Sequence, residues 1–319
     1  MATINFNEAY IKTWFTLGGP EEAEGKIRNA NMYIKDYYYG CNTFEEAETK
    51  MINTCIENIK MKEPINLVIG GNLSNQLGTL NNSLKKYKYP YLGIYSACSS
   101  FIEGLIIGST LLKYINNICV VTSSHKLVSE RQFRFPNEYG SMKKHYQTET
   151  ITAAISLLLT NQLTKYKINT ATIGKVIDYD IKDAANMGAV MAPSAAYTIY
   201  EHLKNTNHTS DYYDLIITGD LGTVGLNILK ELLLNTYEIN PSNVIDAGCF
   251  IYPDDKEVSG GSGPTCLPFY MLNKILKNRN IKRILAVGTG SLHNTTMVNQ
   301  HNSIPSISHA IEIEVIQWL

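Results

Sequence analysis

Charge is scarce in this chain. Only 18% of its 319 residues are Asp, Glu, Lys or Arg, and they balance to a net charge of -1. Such a balance offers no general attraction to nucleic acid or to anionic lipid. Long apolar runs are missing too. None nears the roughly 18 residues of a membrane span, and Ile151 to Leu159 is short enough to suit a strand. The stretch Met1-Ala2-Thr3-Ile4-Asn5-Phe6-Asn7-Glu8 lacks a basic segment leading into an apolar core, so no secretory signal is expected. The six cysteines (Cys41, Cys55, Cys98, Cys119, Cys249, Cys266) form no C-x-x-C pair, and the seven histidines form no H-E-x-x-H. Those absences argue against a structural zinc and for a reduced compartment. Gly70-Gly71-Asn72 and Gly260-Gly261-Ser262-Gly263 match neither a Walker nor a dinucleotide fingerprint. No metal or cofactor is expected. What remains is a globular chain, 44% hydrophobic, long enough for one large domain or two fused ones.

Within that frame Cys98 stands out by its address. Leu92-Gly93-Ile94-Tyr95-Ser96-Ala97-Cys98-Ser99-Ser100 runs from a strand-like segment through a small-residue turn into a helical pattern. A thiol there faces the first-turn N–H groups and the positive end of a helix dipole, which favour a thiolate or a bound anion. A lone buried Cys is more often plain packing. The turn, and a repeat running through the chain, favour the functional reading here.

The repeat shows as matching units in matching order. Thr43-Phe44-Glu45-Glu46 is a capping box, followed by helical spacing and, after Pro64, a buried strand ending in Gly70-Gly71-Asn72-Leu73. Later, Pro193 opens a helical pattern that leads to the strand Asp214 to Thr218, ending in Gly219-Asp220-Leu221-Gly222. Tyr95-Ser96-Ala97-Cys98 answers to Asp246-Ala247-Gly248-Cys249, Ile118 to Thr122 answers to Ile284 to Val287, and Thr152 to Leu159 answers to His309 to Ile316. The pattern predicts two similar α/β halves, residues 1–166 and 167–319, stacked so that loops from both sets of strands converge on one cleft. Cys98 lies on a loop that would face it.

These features resemble the thiolase superfamily, whose members share a duplicated five-layer αβαβα fold with mixed-sheet halves and carry a cysteine nucleophile at a strand-to-helix turn of the first half. The likeness covers nearly the whole chain. Within the superfamily it is narrower still, to a dipicolinic acid-binding branch found in spore-forming bacteria. The stretches that carry it are Thr122-Ser123-Ser124-His125, Glu130 to Gly140, Met187-Gly188-Ala189-Val190-Met191-Ala192-Pro193, Thr218-Gly219-Asp220-Leu221 and Ser259-Gly260-Gly261-Ser262-Gly263. Condensing members carry a His just after the strand that here ends at Thr218, where this chain has Gly219 and Asp220. They carry an Asn in a motif that here reads Gly260-Gly261-Ser262-Gly263, and degradative thiolases use a second Cys where this chain has Val287-Gly288-Thr289-Gly290-Ser291. The resemblance therefore implies a nucleophile position without its catalytic partners, a pseudoenzyme whose pocket is reused for binding, with no catalytic residue assigned.

Dipicolinate is a planar pyridine dianion, so its pocket needs an apolar or aromatic slot, cations and directed donors. The candidate ligand-binding residues are Cys98, Ser124, His125, Arg131, Arg134, Gly261, Gly290 and His293. Arg131 and Arg134 are three apart and would share a helix face, though surface pairing with Glu130 and Glu138 is the plainer alternative. Phe133, Phe135 and Tyr139 would wall the ring or serve as core, and Asp220 reads as a helix cap or a cation-orienting group. Gly261 and Gly290 would let backbone approach the ligand. The ligand is expected as the free acid or its calcium chelate. The resemblance also implies partners: integral membrane subunits of one spore transport system, and a second copy of the chain in a homodimer sealed near Thr152 to Leu159 or Ile118 to Thr122. The expected location is the spore, peripheral at the inner membrane and held there by those subunits. A different class, an acyltransferase or thioester hydrolase using Cys98, stays open, as does an assembly subunit with a vestigial cleft. Tyr37-Tyr38-Tyr39 and Lys85-Lys86-Tyr87-Lys88 lack the basic stripe of a nucleic-acid site and read as surface.

Overall fold

The computed structural model describes residues 1–133, 144–254, 256 and 258–316. In chain order the first half contains β1 (Ala2–Asn5), β2 (Tyr10–Gly18), α1 (Pro20–Glu24), β3 (Met32–Tyr33), α2 (Phe44–Lys60), β4 (Leu67–Asn72), α3 (Gly78–Leu84), β5 (Tyr91–Gly93), α4 (Ser100–Leu111), β6 (Ile118–Ser124), α5 (Lys126–Phe133), β7 (Thr148–Thr150) and β8 (Ala153–Thr160). The second contains β9 (Tyr166–Ile173), α6 (Met187–Thr206), β10 (Leu215–Thr218), α7 (Gly222–Tyr237), β11 (Val244–Asp246), β12 (Gly260–Ser262), α8 (Cys266–Tyr270), β13 (Arg283–Ser291), α9 (Thr295–Asn299) and β14 (Ser306–Val315).

Ten of these strands form one path, β11-β10-β13-β14-β9-β2-β8-β6-β4-β5, with β1 paired to β9 and β3 to β2, while β7 and β12 pair with each other in a small second sheet. Read outward from the middle of the path, β9-β14-β13-β10-β11 repeats the connectivity of β2-β8-β6-β4-β5. The two sets of five meet at only two residue pairs, Tyr10 with Lys167 and Ile11 with Tyr166. The inner three strands of each set run parallel at one end and antiparallel at the other, so the sheet is mixed.

Alternation along the strands sorts residues into layers. In β4 and β6, Val68, Cys119 and Val121 face outward against α2 and α3, where Met51, Ile52, Ile56 and Leu80 are buried. Leu67, Ile69, Ile118 and Val120 face inward against α4 and α8. In the second half Ile216, Leu285 and Val287 pack outward on α6 and α7, whereas Ile217, Ile284 and Ala286 join the same central layer. The result is helix, sheet, helix, sheet, helix. Burying side chains such as Phe101, Ile102 and Leu105 of α4 on both sheets, each worth about 1.5–3 kcal/mol, fixes that helix between them.

The capping box forms: Thr43 Oγ1 accepts from Glu46 N–H at 3.2 Å, and Glu46 Oε2 accepts from Thr43 N–H at 3.3 Å. Pro193 does not open its helix. α6 begins six residues earlier, with Asn186 Oδ1 accepting from Ala189 N–H, and Pro193 sits buried in the second turn. The helix tolerates the lost backbone bond because Met191, Ala192 and Ala195 are packed on the outer face of the second sheet.

Candidate functional site

The turn before α4 delivers Cys98 to the seam between the halves. Ala97 takes a left-handed φ of 48°, an uncommon conformation for a residue with a Cβ. Ser99 N–H donates to the Ser96 carbonyl at 3.0 Å, and Ser100 Oγ accepts from Ser96 N–H at 2.9 Å while donating to the Ala97 carbonyl at 2.8 Å. Cys98 stays partly exposed. The second half braces the turn from behind. Ser99 Oγ donates to the Gly288 carbonyl at 3.1 Å. His309 Nδ1 accepts from Gly174 N–H at 3.1 Å, leaving Nε2 to meet Ser96 Oγ at 3.4 Å. Burial lowers the His309 pKa to about 4, so the ring is neutral at physiological pH. Gly290 lies so near that a Cβ there would stand 2.4 Å from the Ser96 carbonyl oxygen.

Behind the thiol lies Asp220, fully buried. Its Oδ1 accepts from Gly263 N–H at 2.7 Å and its Oδ2 from Thr289 Oγ1 at 3.2 Å, and it hydrogen-bonds the Cys98 thiol. Burial, then the nearby Asp246 carboxyl, push its pKa well above the ordinary carboxylate range, against the pull of those three donors. Asp220 is therefore not the helix cap. That work falls to Asp246, whose oxygens accept from Leu221 N–H, Gly222 N–H, Gly248 N–H and Thr218 Oγ1.

A cleft opens in front of Cys98. Leu73, Tyr95, Phe133 and Met187 give it apolar and aromatic walls, Ser129, Thr150, Ser262 and Ser291 give hydroxyls, and Glu130 and His293 complete it. Its enclosed space is about 30 Å³, room for roughly two waters. Tyr95, Phe133 and His293 also border an outer vestibule of about 500 Å³, walled with amides and hydroxyls from Asn75, Gln76, Asn294 and Thr295. Phe133 and His293 meet edge to face with centroids 5.6 Å apart, between the two spaces. Among the described lining residues there is no lysine or arginine. Two nearby lysines are committed elsewhere: Lys126 and Lys256 each pair with both Glu21 and Glu149.

Of the candidates, Cys98 and His293 line the cleft, and Gly290 supports the Cys98 turn from behind. Gly261 is packed against Ile151 and Ile251, while its neighbour Ser262 supplies the lining hydroxyl. Ser124 is fully buried, its hydroxyl donating to the Ile151 carbonyl at 2.7 Å. His125 is outside the cleft as well. Its Nε2 meets the Tyr37 carbonyl at 2.9 Å, its ring packs between Tyr37 and Phe44, and burial lowers its pKa to about 4. β6 ends at Ser124, and the chain turns away into α5 before either side chain can reach the opening. Arg131 pairs with Glu45 of α2 on the surface. Arg134, Phe135 and Tyr139 lie outside the described residues. Sequence reading did not single out Tyr95, Ser262, Ser291 or His309. The first three lie within motifs already noted, whereas His309 sits in a strand pattern with no local signal.

The family described as "Stage V sporulation protein AD (SpoVAD)" matches residues 1–314. The chain belongs to that family. It is 35% identical over 320 residues to stage V sporulation protein AD of Bacillus subtilis (strain 168), covering 96% of this chain and 94% of that protein. Among solved structures it is similar to a cerulenin-bound OleA of Xanthomonas campestris, with TM-score 0.62 and 13% identity over 98% of this chain and 100% of that one. It is also similar to 3-oxoacyl-[acyl-carrier-protein] synthase III of Aquifex aeolicus VF5, with TM-score 0.58 and 15% identity over 96% and 99%. The fold of this sporulation protein is thus thiolase-like. Among the described residues no helix is long and apolar enough to cross a membrane.

Proposed function

We propose that this chain is a non-catalytic thiolase-fold protein that binds dipicolinic acid (pyridine-2,6-dicarboxylate) at the Cys98 cleft and serves its uptake into the developing spore. The observation that carries the reading is Asp220 beside the thiol. Claisen condensation needs a base or hydrogen-bond donor that handles a carbanion and its enolate, and a thiol needs a nearby positive charge or base to attack. A buried carboxyl whose pKa burial and Asp246 push well above the ordinary range offers no positive charge. The Gly260–Ser262 strand offers a hydroxyl and no side-chain amide.

The cleft suits a planar acid. Tyr95, Phe133 and His293 can sandwich a ring at the mouth, with its edge toward the hydroxyls of Ser129, Thr150, Ser262 and Ser291. Because the enclosed space is small, the ring lies across the mouth and into the vestibule. With no lysine or arginine among the described lining residues, the neutral calcium chelate fits this wall better than the free dianion, and Glu130 can face the cation. The molecule would work at the inner spore membrane beside integral membrane subunits. It would pair with a second copy through β5, whose partner β4 covers only one edge. β6 and β8, near which the sequence reading put that seam, are paired on both sides, which leaves β5 as the open edge of their sheet.

Calorimetry and thermal melting of the purified chain with dipicolinate, with and without calcium, test the reading. Saturating ligand should raise the melting temperature by mass action. No heat and no shift under either condition would end it. A second reading, acyl transfer or thioester hydrolysis, is favoured by the partly exposed thiol on a fold shared with an acyl-condensing synthase. Incubation with acyl-CoA followed by intact mass decides it, since an adduct lost in Cys98→Ser supports the enzyme.

A further inference from the structure

The end of the first half opposite the cleft differs from the rest of the surface. The parallel strands β4, β5 and β6 begin there, so α2, α3 and α4 end there, and β8 ends there as well. Met61, Tyr114 and Leu163 stand at that end 73%, 74% and 62% exposed, the most exposed of the large hydrophobic side chains described. Around them Lys60, Lys62, Lys85, Lys86, Lys88 and Lys113 are all exposed. Acidic groups are fewer. Glu57 pairs with Lys60 and Lys86, Glu63 pairs with Lys12, and Glu8 is exposed. In a chain of net charge -1 this end is positive and the remainder correspondingly negative.

Hydrogen bonds and an ion pair join these turns into one surface. Asn66 Nδ2 donates to the Asn116 carbonyl at 2.9 Å, and Asn116 Oδ1 accepts from Thr160 Oγ1 and Asn161 N–H, both at 3.0 Å. Lys12 reaches Glu63 at 2.8 Å and Gln162 at 3.5 Å. Helix C-termini attract lysines on their own account. The dipole gives no reason to hold Met61, Tyr114 and Leu163 out in water on the same end.

We propose that this face docks directly on an anionic lipid bilayer. The three apolar side chains would enter the headgroup region while the lysines, long and flexible, meet the anionic headgroups. Charge complementarity selects the occupant: a positive rim around separated apolar tips fits a negatively charged, deformable surface. Docked this way, the Cys98 cleft, at the opposite ends of β4 and β6, faces water. The proposal is independent of the ligand assigned to the cleft.

Flotation of the full chain with phosphatidylglycerol–phosphatidylcholine vesicles, against phosphatidylcholine alone, tests it. Binding should require the anionic lipid and fall as salt shortens the screening length. Lys62→Glu with Lys88→Glu should weaken partitioning by at least about tenfold. Met61→Ser, Tyr114→Ser and Leu163→Ser together should also release the protein, while Leu234→Ser on another face changes nothing. Melting curves establish that each variant is folded. Absence of flotation, or flotation unaffected by these substitutions, overturns the proposal. So does flotation only with vesicles that carry membrane proteins, which would assign the face to a protein partner.

Discussion

Gly290→Ala tests whether the second half shapes the Cys98 turn. A Cβ at Gly290 would stand 2.4 Å from the Ser96 carbonyl oxygen and 3.3 Å from Ser99 Cβ. Real Cβ contacts essentially never fall below 3.0 Å, so something must move by at least 0.6 Å. β13 is the stiffer side, since it pairs with β14 through nine consecutive residues and with β10 on its other edge. The turn must yield, and with it the Ser99 N–H bond to the Ser96 carbonyl. Overpacking of this kind costs about 1–3 kcal/mol. In a chain of this length each kcal/mol moves the melting temperature by about 1.5 °C, so the expected loss is about 2–5 °C. Alkylation of Cys98 by iodoacetamide, read by intact mass against Cys98→Ser, should quicken as the turn is pushed toward the mouth. Gly78→Ala is the control: its Cβ meets nothing within 4 Å and the backbone there is helical at φ -58°. It should be neutral or stabilise by about 0.4–1 kcal/mol. A Gly290→Ala protein that melts and alkylates like the parent would refute the brace.

Further expectations concern the cleft wall, the ligand and buried acids. Phe133→Ala removes the ring that meets His293 between vestibule and cleft, so bulky maleimides should reach Cys98 faster while iodoacetamide gains less. Dipicolinate should bind more tightly with calcium than without it, measured by calorimetry, and an advantage for the free acid would overturn the charge argument for the wall. Glu48, buried with Ser123 Oγ donating to its Oε1 at 2.8 Å, has its pKa raised to about 7 by burial. A raised folded-state pKa gives stability that is present in acid and lost as pH climbs from about 4.5 to 7, here up to about 3 kcal/mol. Glu48→Gln should flatten that part of the stability–pH curve, and an unchanged slope in urea titrations would show that Glu48 is not its source.

The layered architecture was readable from the sequence because it rests on local periodicity. Ile118 to Thr122 and Ile284 to Val287 are apolar runs bounded by turn residues, and their likeness reflects equivalent places in two sheets of the same strand order. The position of Cys98 was readable for the same reason, since a strand, a tight turn and a helix follow one another within a dozen residues. Side-chain destination was not. Ser124 and His125 end the same strand and carry ligand-like chemistry, yet the first is spent on the Ile151 carbonyl and the second on the Tyr37 carbonyl. Both partners come from other segments, 27 and 88 residues away. Arg131 met Glu45 across the same kind of gap. A side chain's partner is set by long-range packing, which no local window contains.

Asp220 shows where that limit matters for function. From sequence it is an acid after a strand and before a helix, and a cap is the economical reading. The repeat itself supplied the competing cap: Asp246 lies at the end of the adjacent strand and satisfies the first N–H groups of α7. Once one carboxylate occupies that site, ionising a second nearby is disfavoured, so the Asp220 pKa is pushed well above the ordinary range even though Gly263, Thr289 and the Cys98 thiol donate to it. Asp220→Asn should therefore preserve the fold and remove the cost of ionising a second acid beside Asp246, whereas Asp246→Asn should strip the α7 cap and destabilise. If Asp220→Asn proved the more damaging of the two, Asp220 would be the charged member of the pair. The thiol would then sit beside an anion, which would disfavour an acid bound at the cleft.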